Sequence, residues 1–384
     1  MLADITDPTV KQLRGKINQI MRAIRAQTPP LASMALAGTA KGSEIWEGNF
    51  NSEPIKRIVI YLRSSGCSWA MKPSSDGTPI FKAGCLDCEH SVAGTTFGRA
   101  IPAATYVKQF EKEFVKYQDY SEYPMLCVYN EGSMLNEAEL PAEARRDILK
   151  LIAENKNIKS VILESLPEYI TEPILDEART ILGDKYLEIG VGLESCDPMV
   201  RHLAINKPFN LQQFEETAKL IRKYCHLLSY ILVKPSFLTE NEALKDSLET
   251  VQYAFNVGSS VVSIEPLNIG EFAMSGALNR LGLYRVPWLW TVLEVAKKSH
   301  ALGETRLGGY QFAPKYENFA QNCPKCTLRV KEAIVQYNTT YDISHLMGLT
   351  CTCQDEWRDE LNKEYPYIVD RVQQYVDLLS NEYL

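Results

Sequence analysis

From residue 57 onward, short β-branched apolar runs alternate with longer amphipathic ones, and this rhythm limits the fold more than any other feature. "RIVIYLR" (57–63), "PMLCVYN" (124–130), "KSVILES" (159–165), "YLEIGVGLES" (186–195), "LSYILVKPS" (228–236) and "SSVVSIEPLNI" (259–269) read as strands. Helical spacing separates them at 103–117, 141–155, 171–183, 210–224 and 239–257, with Pro141 and Pro173 in first turns and Gly183 as a stop. Strand then helix, repeated about six times, implies parallel strands joined by right-handed crossovers. An open doubly wound sheet and a full or partial barrel both fit. No GxGxxG follows the first strand, which removes the main argument for a dinucleotide-binding open sheet. Every strand instead ends in a polar or glycine-bearing tail, and a parallel barrel places its chemistry at strand C-termini. The expected class is α/β, a partial (β/α)6-type TIM barrel with a helical N-terminal extension and a small cysteine-rich C-terminal domain. The expected divisions are 1–50, 51–315 and 316–384.

The loop after the first strand, "GCSWAMKPSSDGTPIFKAGCLDCEH" (66–90), holds Cys67, Cys85 and Cys88 among glycines and prolines. Three arrangements fit that spacing. One is a [4Fe–4S] cluster with an open iron; another is a catalytic zinc site that also uses His90; the third is three plain buried cysteines. A second set, "NCPKCT" (322–327) and "LTCTCQDEW" (349–357), places Cys323, Cys326, Cys351 and Cys353 as CxxC and CxC with 24 residues between. Four thiolates close a tetrahedral zinc site or hold an auxiliary iron–sulfur cluster; spacing does not separate the two. Cys127, Cys196 and Cys225 lie in apolar surroundings and read as core.

Charge is uneven along a chain whose formal net charge is −7. That balance argues against non-specific coating of nucleic acid. Residues 11–27 carry Lys11, Arg14, Lys16, Arg22 and Arg25 without an acid, whereas the last thirty hold eight acids against three bases. The basic segment reads as a solvated helix face laid over the main domain, with contact to an RNA backbone or an acidic partner as the alternative. No apolar run approaches the roughly 20 residues a membrane span needs. The N-terminus lacks a secretory pattern, so the expected location is the cytoplasm, with reduced thiols and no membrane partner.

A first-strand loop with three cysteines followed by repeated strand–helix units resembles the radical S-adenosylmethionine superfamily. Its common signature is C-x3-C-x2-C; here seventeen residues separate the first two cysteines, while the final CxxC is kept. "YLRSSGCSW" (61–69), "GCLDC" (84–88), "YNEGSMLNEAELP" (129–141), "VILESLPEYIT" (161–171), "IGVGLES" (189–195), "INKPF" (205–209), "ILVKPSFLTENEA" (231–243) and "CTCQDEW" (351–357) are similar, in order, to the radical-SAM subunit of archaeosine synthase and its bacterial relatives. That group stands near the Elongator catalytic subunit and the methylthiotransferases.

The resemblance implies that Cys67, Cys85 and Cys88 bind three irons of a [4Fe–4S] cluster, with the fourth left to S-adenosylmethionine. An electron delivered through the cluster would cleave the cofactor's carbon–sulfur bond and make a 5′-deoxyadenosyl radical. Gly132 and Ser133 correspond to the turn that holds the methionine amino group. Glu164 and Glu194 are implied to hydrogen-bond the cofactor's amine or ribose, with an N-cap or salt-bridge role as the alternative for each. Lys234 is implied to meet a carboxylate of cofactor or substrate. The substrate class is a modified tRNA base, through archaeosine-type C–N cleavage, or a small molecule, with an electron-donor protein and a partner subunit. Two departures stand out: Leu166 where relatives carry Arg, and Glu89 and His90 where they carry Gly and an aromatic. A non-catalytic zinc-binding adaptor that contacts RNA or a protein partner is the competing function, and a zinc hydrolase a third. No catalytic residue is assigned.

Overall fold

The computed structural model describes residues 5–28, 36–73, 79–89, 96, 98–309 and 316–384. His90, part of the connector between the first helix and residue 42, and the expected boundary at 315 lie outside the described residues. Ten strands are described: β1 (Gly42–Phe50), β2 (Glu53–Tyr61), β3 (Met71–Pro73), β4 (Pro79–Phe81), β5 (Met125–Tyr129), β6 (Ser160–Glu164), β7 (Tyr186–Glu194), β8 (His226–Val233), β9 (Val261–Pro266) and β10 (Glu304–Leu307). The helices are α1 (Pro8–Ala26), α2 (Ala103–Phe114), α3 (Ala142–Glu154), α4 (Glu172–Leu182), α5 (Leu211–Tyr224), α6 (Glu240–Val257), α7 (Met274–Arg280), α8 (Leu289–Ser299), α9 (Thr327–Thr340), α10 (Cys353–Asn362) and α11 (Ile368–Tyr383).

Eight strands form one sheet in the order β1-β2-β5-β6-β7-β8-β9-β10, parallel throughout except for the β1–β2 pair. The two end strands do not pair, so the sheet is a partial barrel. Its outer face carries Ile58, Ile60, Leu126, Val128, Val161, Leu163, Ile189, Val191, Ile231 and Ile264, all buried in one core under the crossover helices. Alternate residues point inward. Near the strand starts the inner face is apolar, with Val59, Met125, Cys127, Ile162, Leu228 and Val261. Toward the strand ends it becomes polar, because the same two-residue period brings in Tyr129, Glu164, Glu194, Tyr230 and Glu265.

Two strands and a hairpin were absent from the sequence reading. Residues 42–50 fall within the expected helical extension but form the antiparallel edge strand β1. Asn51 and Ser52, at φ 54° and 66°, make the tight turn into β2 that favours such residues. β10 is only four residues and half charged, so it carries no apolar signal. The β3–β4 pair lies inside the cysteine loop. Helix α1 is amphipathic: Val10, Leu13, Ile17, Ile20, Met21 and Ile24 are buried, in a core shared with α7 and α11. Asp7 caps its start, accepting from the Thr9 N–H at 2.7 Å, with Pro8 following.

Candidate active site

The cysteine loop leaves β2 at the mouth of the half-barrel and is held there by four polar side chains, three of them buried. The first is Arg25 near the end of α1, fully buried; it donates Nε to the Ala83 carbonyl at 2.8 Å and Nη2 to the Cys85 and Cys88 carbonyls at 2.6 and 3.4 Å. The basic segment is thus not only a solvated face. Its last arginine grips the loop that carries two of the three cysteines, and its cation lies within electrostatic reach of Cys88, Cys85 and Cys67.

Asn206 is the second. It ends the π-helical turn Val200–Ile205 in a left-handed conformation (φ 61°), which Asn adopts more readily than most residues. Its Nδ2 donates to the Gly84 carbonyl at 2.7 Å, while its Oδ1 accepts Arg14 at 2.8 and 3.0 Å and its carbonyl accepts the Trp69 indole at 3.2 Å. Asp87, between the second and third cysteines, is the third. Its carboxylate accepts the Ser236 N–H and hydroxyl at 3.0 and 2.6 Å and the Ser275 N–H at 2.9 Å, tying the loop to the end of β8 and to α7.

Glu139 is the fourth. Almost fully buried, it accepts the Ser68 N–H at 2.8 Å and the Ser133 N–H at 2.6 Å, with Asn136 Nδ2 at 2.8 Å on the first oxygen. One carboxylate therefore fastens the residue after Cys67 to the turn that ends the next strand. Gly132 is required beside it: a Cβ there would collide with the Glu139 carboxylate and lie 3.5 Å from the Cys67 Cα. The Ser133 hydroxyl accepts the Leu166 N–H at 3.1 Å.

Cys67, Cys85 and Cys88 stand close enough to act on one another electrostatically. Burial raises the Cys67 thiol, with Glu139, Cys88 and Cys85 adding to the effect. Cys85 is pushed up to about 11, again by burial, with Lys207 opposing. Among the described residues, the one group of His, Cys, Asp or Glu ligand atoms drawn within 4.8 Å of one another is a different set, the four C-terminal cysteines. The three loop thiols do not all lie that close to one another. Ligands to a single ion must crowd together, whereas a cubane spreads its thiolates because each holds a different iron.

Beside the loop, the polar end of the barrel lumen brings Glu164 and Glu194 together with two residues the sequence did not single out. Lys207 donates to Glu194 at 2.9 Å and lies within electrostatic reach of Cys85. Glu265 accepts the Ser263 hydroxyl at 2.6 Å, in space that a side chain at Gly308 would fill. Burial pushes Glu164 up to about 7, with Glu265 and Glu194 adding and the Tyr230 hydroxyl opposing. Glu265 rises to about 7 for the same reason, against its bond from Ser263. Deeper in the lumen Arg306 clamps Glu188 in a two-point pair at 2.8 and 2.9 Å.

A pH dependence follows. Glu164 and Glu265 are protonated in the fold up to about pH 7 but ionise near 4.5 when unfolded, so the folded state holds more protons across that window. Their contribution to stability is full below about pH 4.5 and is lost as pH rises through 7. Thermal melts should show stability falling over this range, and Glu265→Gln should flatten the slope. An unchanged slope would place that carboxylate in ordinary solvent.

Lys234 does not join this group. Its ammonium pairs with Glu240 at 2.7 Å and Glu360 at 3.7 Å, facing α6 and α10. Glu89 accepts the Phe272 N–H at 3.0 Å.

At the C-terminal end, Cys323 and Cys326 precede and cap α9, and Cys351 and Cys353 lead into α10. The sulfurs of Cys323–Cys326, Cys323–Cys351 and Cys326–Cys353 are 3.7, 3.6 and 3.6 Å apart. The Trp290 indole donates to Cys353 Sγ at 3.3 Å, an outer-shell bond of the kind that orients metal ligands. The backbone N–H of Cys353 helps to bring the Cys351 thiol down to about 6.

The curled sheet thus carries three loop cysteines at its mouth and acids at its strand ends. No family model matches the chain. It is 31% identical over 324 residues to the uncharacterized protein MJ0550 of Methanocaldococcus jannaschii, across 82% of this chain and 84% of that protein, and it belongs to that protein's family. The archaeosine synthase subunit beta of Methanosarcina acetivorans is 27% identical over 354 residues, covering 92% of this chain and 96% of the relative. A crystal structure of methylornithine synthase superposes with a TM-score of 0.47 at 9% identity, over 77% of this chain and 71% of that one. Among the described residues no helix is long and apolar enough to cross a membrane.

Proposed function

We propose that this chain is a radical S-adenosylmethionine enzyme whose [4Fe–4S] cluster is held by Cys67, Cys85 and Cys88. The observation that carries the reading is the loop itself: three thiols at a barrel mouth, their backbone fixed by Arg25, Asn206, Asp87 and Glu139. The donor set fits the group, since three thiolates leave one iron open and the buried Arg25 cation offsets their charge. When bound, the cluster supplies the electron that breaks the carbon–sulfur bond of S-adenosylmethionine. The chain's residues do the positioning. Glu139 fastens Cys67 to the Gly132–Ser133 turn where the cofactor's amino group would sit. Glu164 and Glu194 present carboxylates to its amine or hydroxyls, and Lys207 keeps Glu194 in place. The relatives' name supports a modified transfer RNA base as substrate and a partner subunit alongside.

The test is direct. Protein reconstituted without oxygen and given a strong reductant should convert S-adenosylmethionine to methionine and 5′-deoxyadenosine, measured by mass spectrometry. A colourless zinc protein that leaves the cofactor whole would favour an adaptor instead.

The four C-terminal cysteines are proposed to hold zinc. Zinc–sulfur bonds of about 2.3 Å in a tetrahedron set sulfurs about 3.8 Å apart. The observed 3.6–3.7 Å matches that edge, whereas a cubane would spread the thiolates over separate irons. Cys353→Ser should remove about one zinc per chain and lower the melting temperature, because Cys326 and Cys353 are both buried in the barrel's outer core. Retention of full zinc by that variant would mean the metal lies elsewhere.

A further inference from the structure

A cavity of about 700 Å³ opens beside the cysteine loop rather than over it, between the segment after β8, the chain following α7, and the α10–α11 junction. Four rings face it: Phe237, Tyr284, Tyr365 and Tyr375. The backbone that builds one wall is unusual. Lys234 and Phe237 are both at positive φ, 62° and 75°, a conformation that costs non-glycine residues energy and persists only when the surroundings enforce it. Here they do: the Tyr284 hydroxyl donates to the Lys234 carbonyl at 2.8 Å, and Arg371 Nε donates to the Phe237 carbonyl at 2.9 Å.

The lining holds two acids, Glu360 and the exposed Asp359, and its basic groups divide into two kinds. Lys234 is neutralised by Glu240 and Glu360, Arg371 by Glu242, and Arg285 shares Glu360 at 3.2 Å while stacking 4.1 Å over Trp288. Lys363 at the rim is exposed and has no ion pair among the described residues; its ammonium sits 5.1 Å over the Tyr365 ring. The rim thus offers one uncommitted cation and one half-committed arginine beside an exposed aromatic face, Tyr365 being 38% exposed. A volume in the range of small-ligand sites, lined by rings and edged with cations, matches a flat heteroaromatic group bearing an anion. Bases stack on aromatic side chains and phosphates meet lysine and arginine.

We infer that this cavity binds a single nucleotide unit, its base against Tyr365 and its phosphate at Lys363 and Arg285. Its position gives the site a use. Phe237 lines the cavity while Ser236, the residue before it, bonds to Asp87 of the cysteine loop, so a nucleotide held here lies one residue from the segment that anchors the proposed cluster. Only the source of the nucleotide rests on the proposed function: a transfer RNA substrate would present it as part of a single-stranded segment, and a free nucleotide would share the same chemistry.

The probes are a fluorescein-labelled ten-nucleotide single-stranded RNA and unlabelled GMP and AMP, titrated against the whole chain. Tyr365→Ala and Lys363→Glu alter exposed side chains, and Lys245→Glu on the outer face of α6 serves as a charge control. Stacking is worth about 1–3 kcal/mol per base, so Tyr365→Ala should weaken binding by roughly 5- to 150-fold. Lys363→Glu should weaken it as well, and the control should bind as the wild type does. Binding of the RNA that GMP and AMP do not displace identifies an RNA segment as the occupant. Displacement by either mononucleotide, with the same sensitivity to the variants, identifies a free nucleotide; both outcomes support the site. Absence of binding by any probe overturns it, as does binding that both cavity variants leave at the level of the control. Cofactor cleavage by wild-type protein without RNA is a separate readout, so failure here and failure of the proposed function are distinguishable.

Discussion

Replacing Arg25 with Ala should strip the protein of most of the iron it takes up on reconstitution and lower its stability by several kcal/mol. The side chain is fully buried and donates to three backbone carbonyls of the cysteine loop. Each carbonyl left without a donor costs about 1–3 kcal/mol, and a cavity adds to that. Loss of the cation would also take away a positive charge that lies within electrostatic reach of all three loop thiols. Lysine is a poor substitute, because its point charge does not reproduce the guanidinium's fixed fork. Iron per chain and a denaturant melt check the two halves of this expectation. Wild-type iron together with an unchanged melt would show that the helix merely covers the loop. For the same reason, deleting residues 1–40 should abolish cofactor cleavage.

Cys85→Ala should abolish cleavage of S-adenosylmethionine completely. Cys85 lies within electrostatic reach of Lys207 and Glu194, so it links the proposed cluster to the strand-end acids. Its loss leaves two thiolates and no way to hold three irons. The variant should still fold and keep its zinc, since the C-terminal cysteines form their own tight group. Cys353→Ser should behave in the opposite way, losing zinc while keeping the visible absorbance of the first centre. Loss of both signals in either variant would mean that the two sets share one centre.

The residues legible in the sequence were those that declare themselves by spacing. Six strands showed as β-branched runs because parallel strands are buried on both faces. The cysteine sets showed through CxxC and CxC, and Glu164 and Glu194 through their place at strand ends. The residues that escaped act through tertiary contact. Arg25 looked like one more charge on a basic helix; only burial against Ala83, Cys85 and Cys88 distinguishes it from Arg22. Glu139 lies in a run of acids and small residues, and its partners Ser68 and Ser133 are 71 and 6 positions away. Glu265 sat inside a strand already recognised, where the two-residue period from Val261 would have placed it on the inner face. Asn206 and Lys207 lay within a recognised stretch, but nothing in "INKPF" announces a left-handed turn that fastens two other segments. Lys234 shows the reverse problem: a lysine at a strand end suggested a ligand contact, and the fold gives it to Glu240 and Glu360.

The most direct test of the central claim is the iron content and visible spectrum of the wild-type chain, reconstituted without oxygen, before and after S-adenosylmethionine is added. The expected result is a brown protein with about four irons attributable to Cys67, Cys85 and Cys88, and a cluster signal that changes when the cofactor is added. A protein that carries zinc alone, or a cluster whose signal ignores the cofactor, would contradict the account.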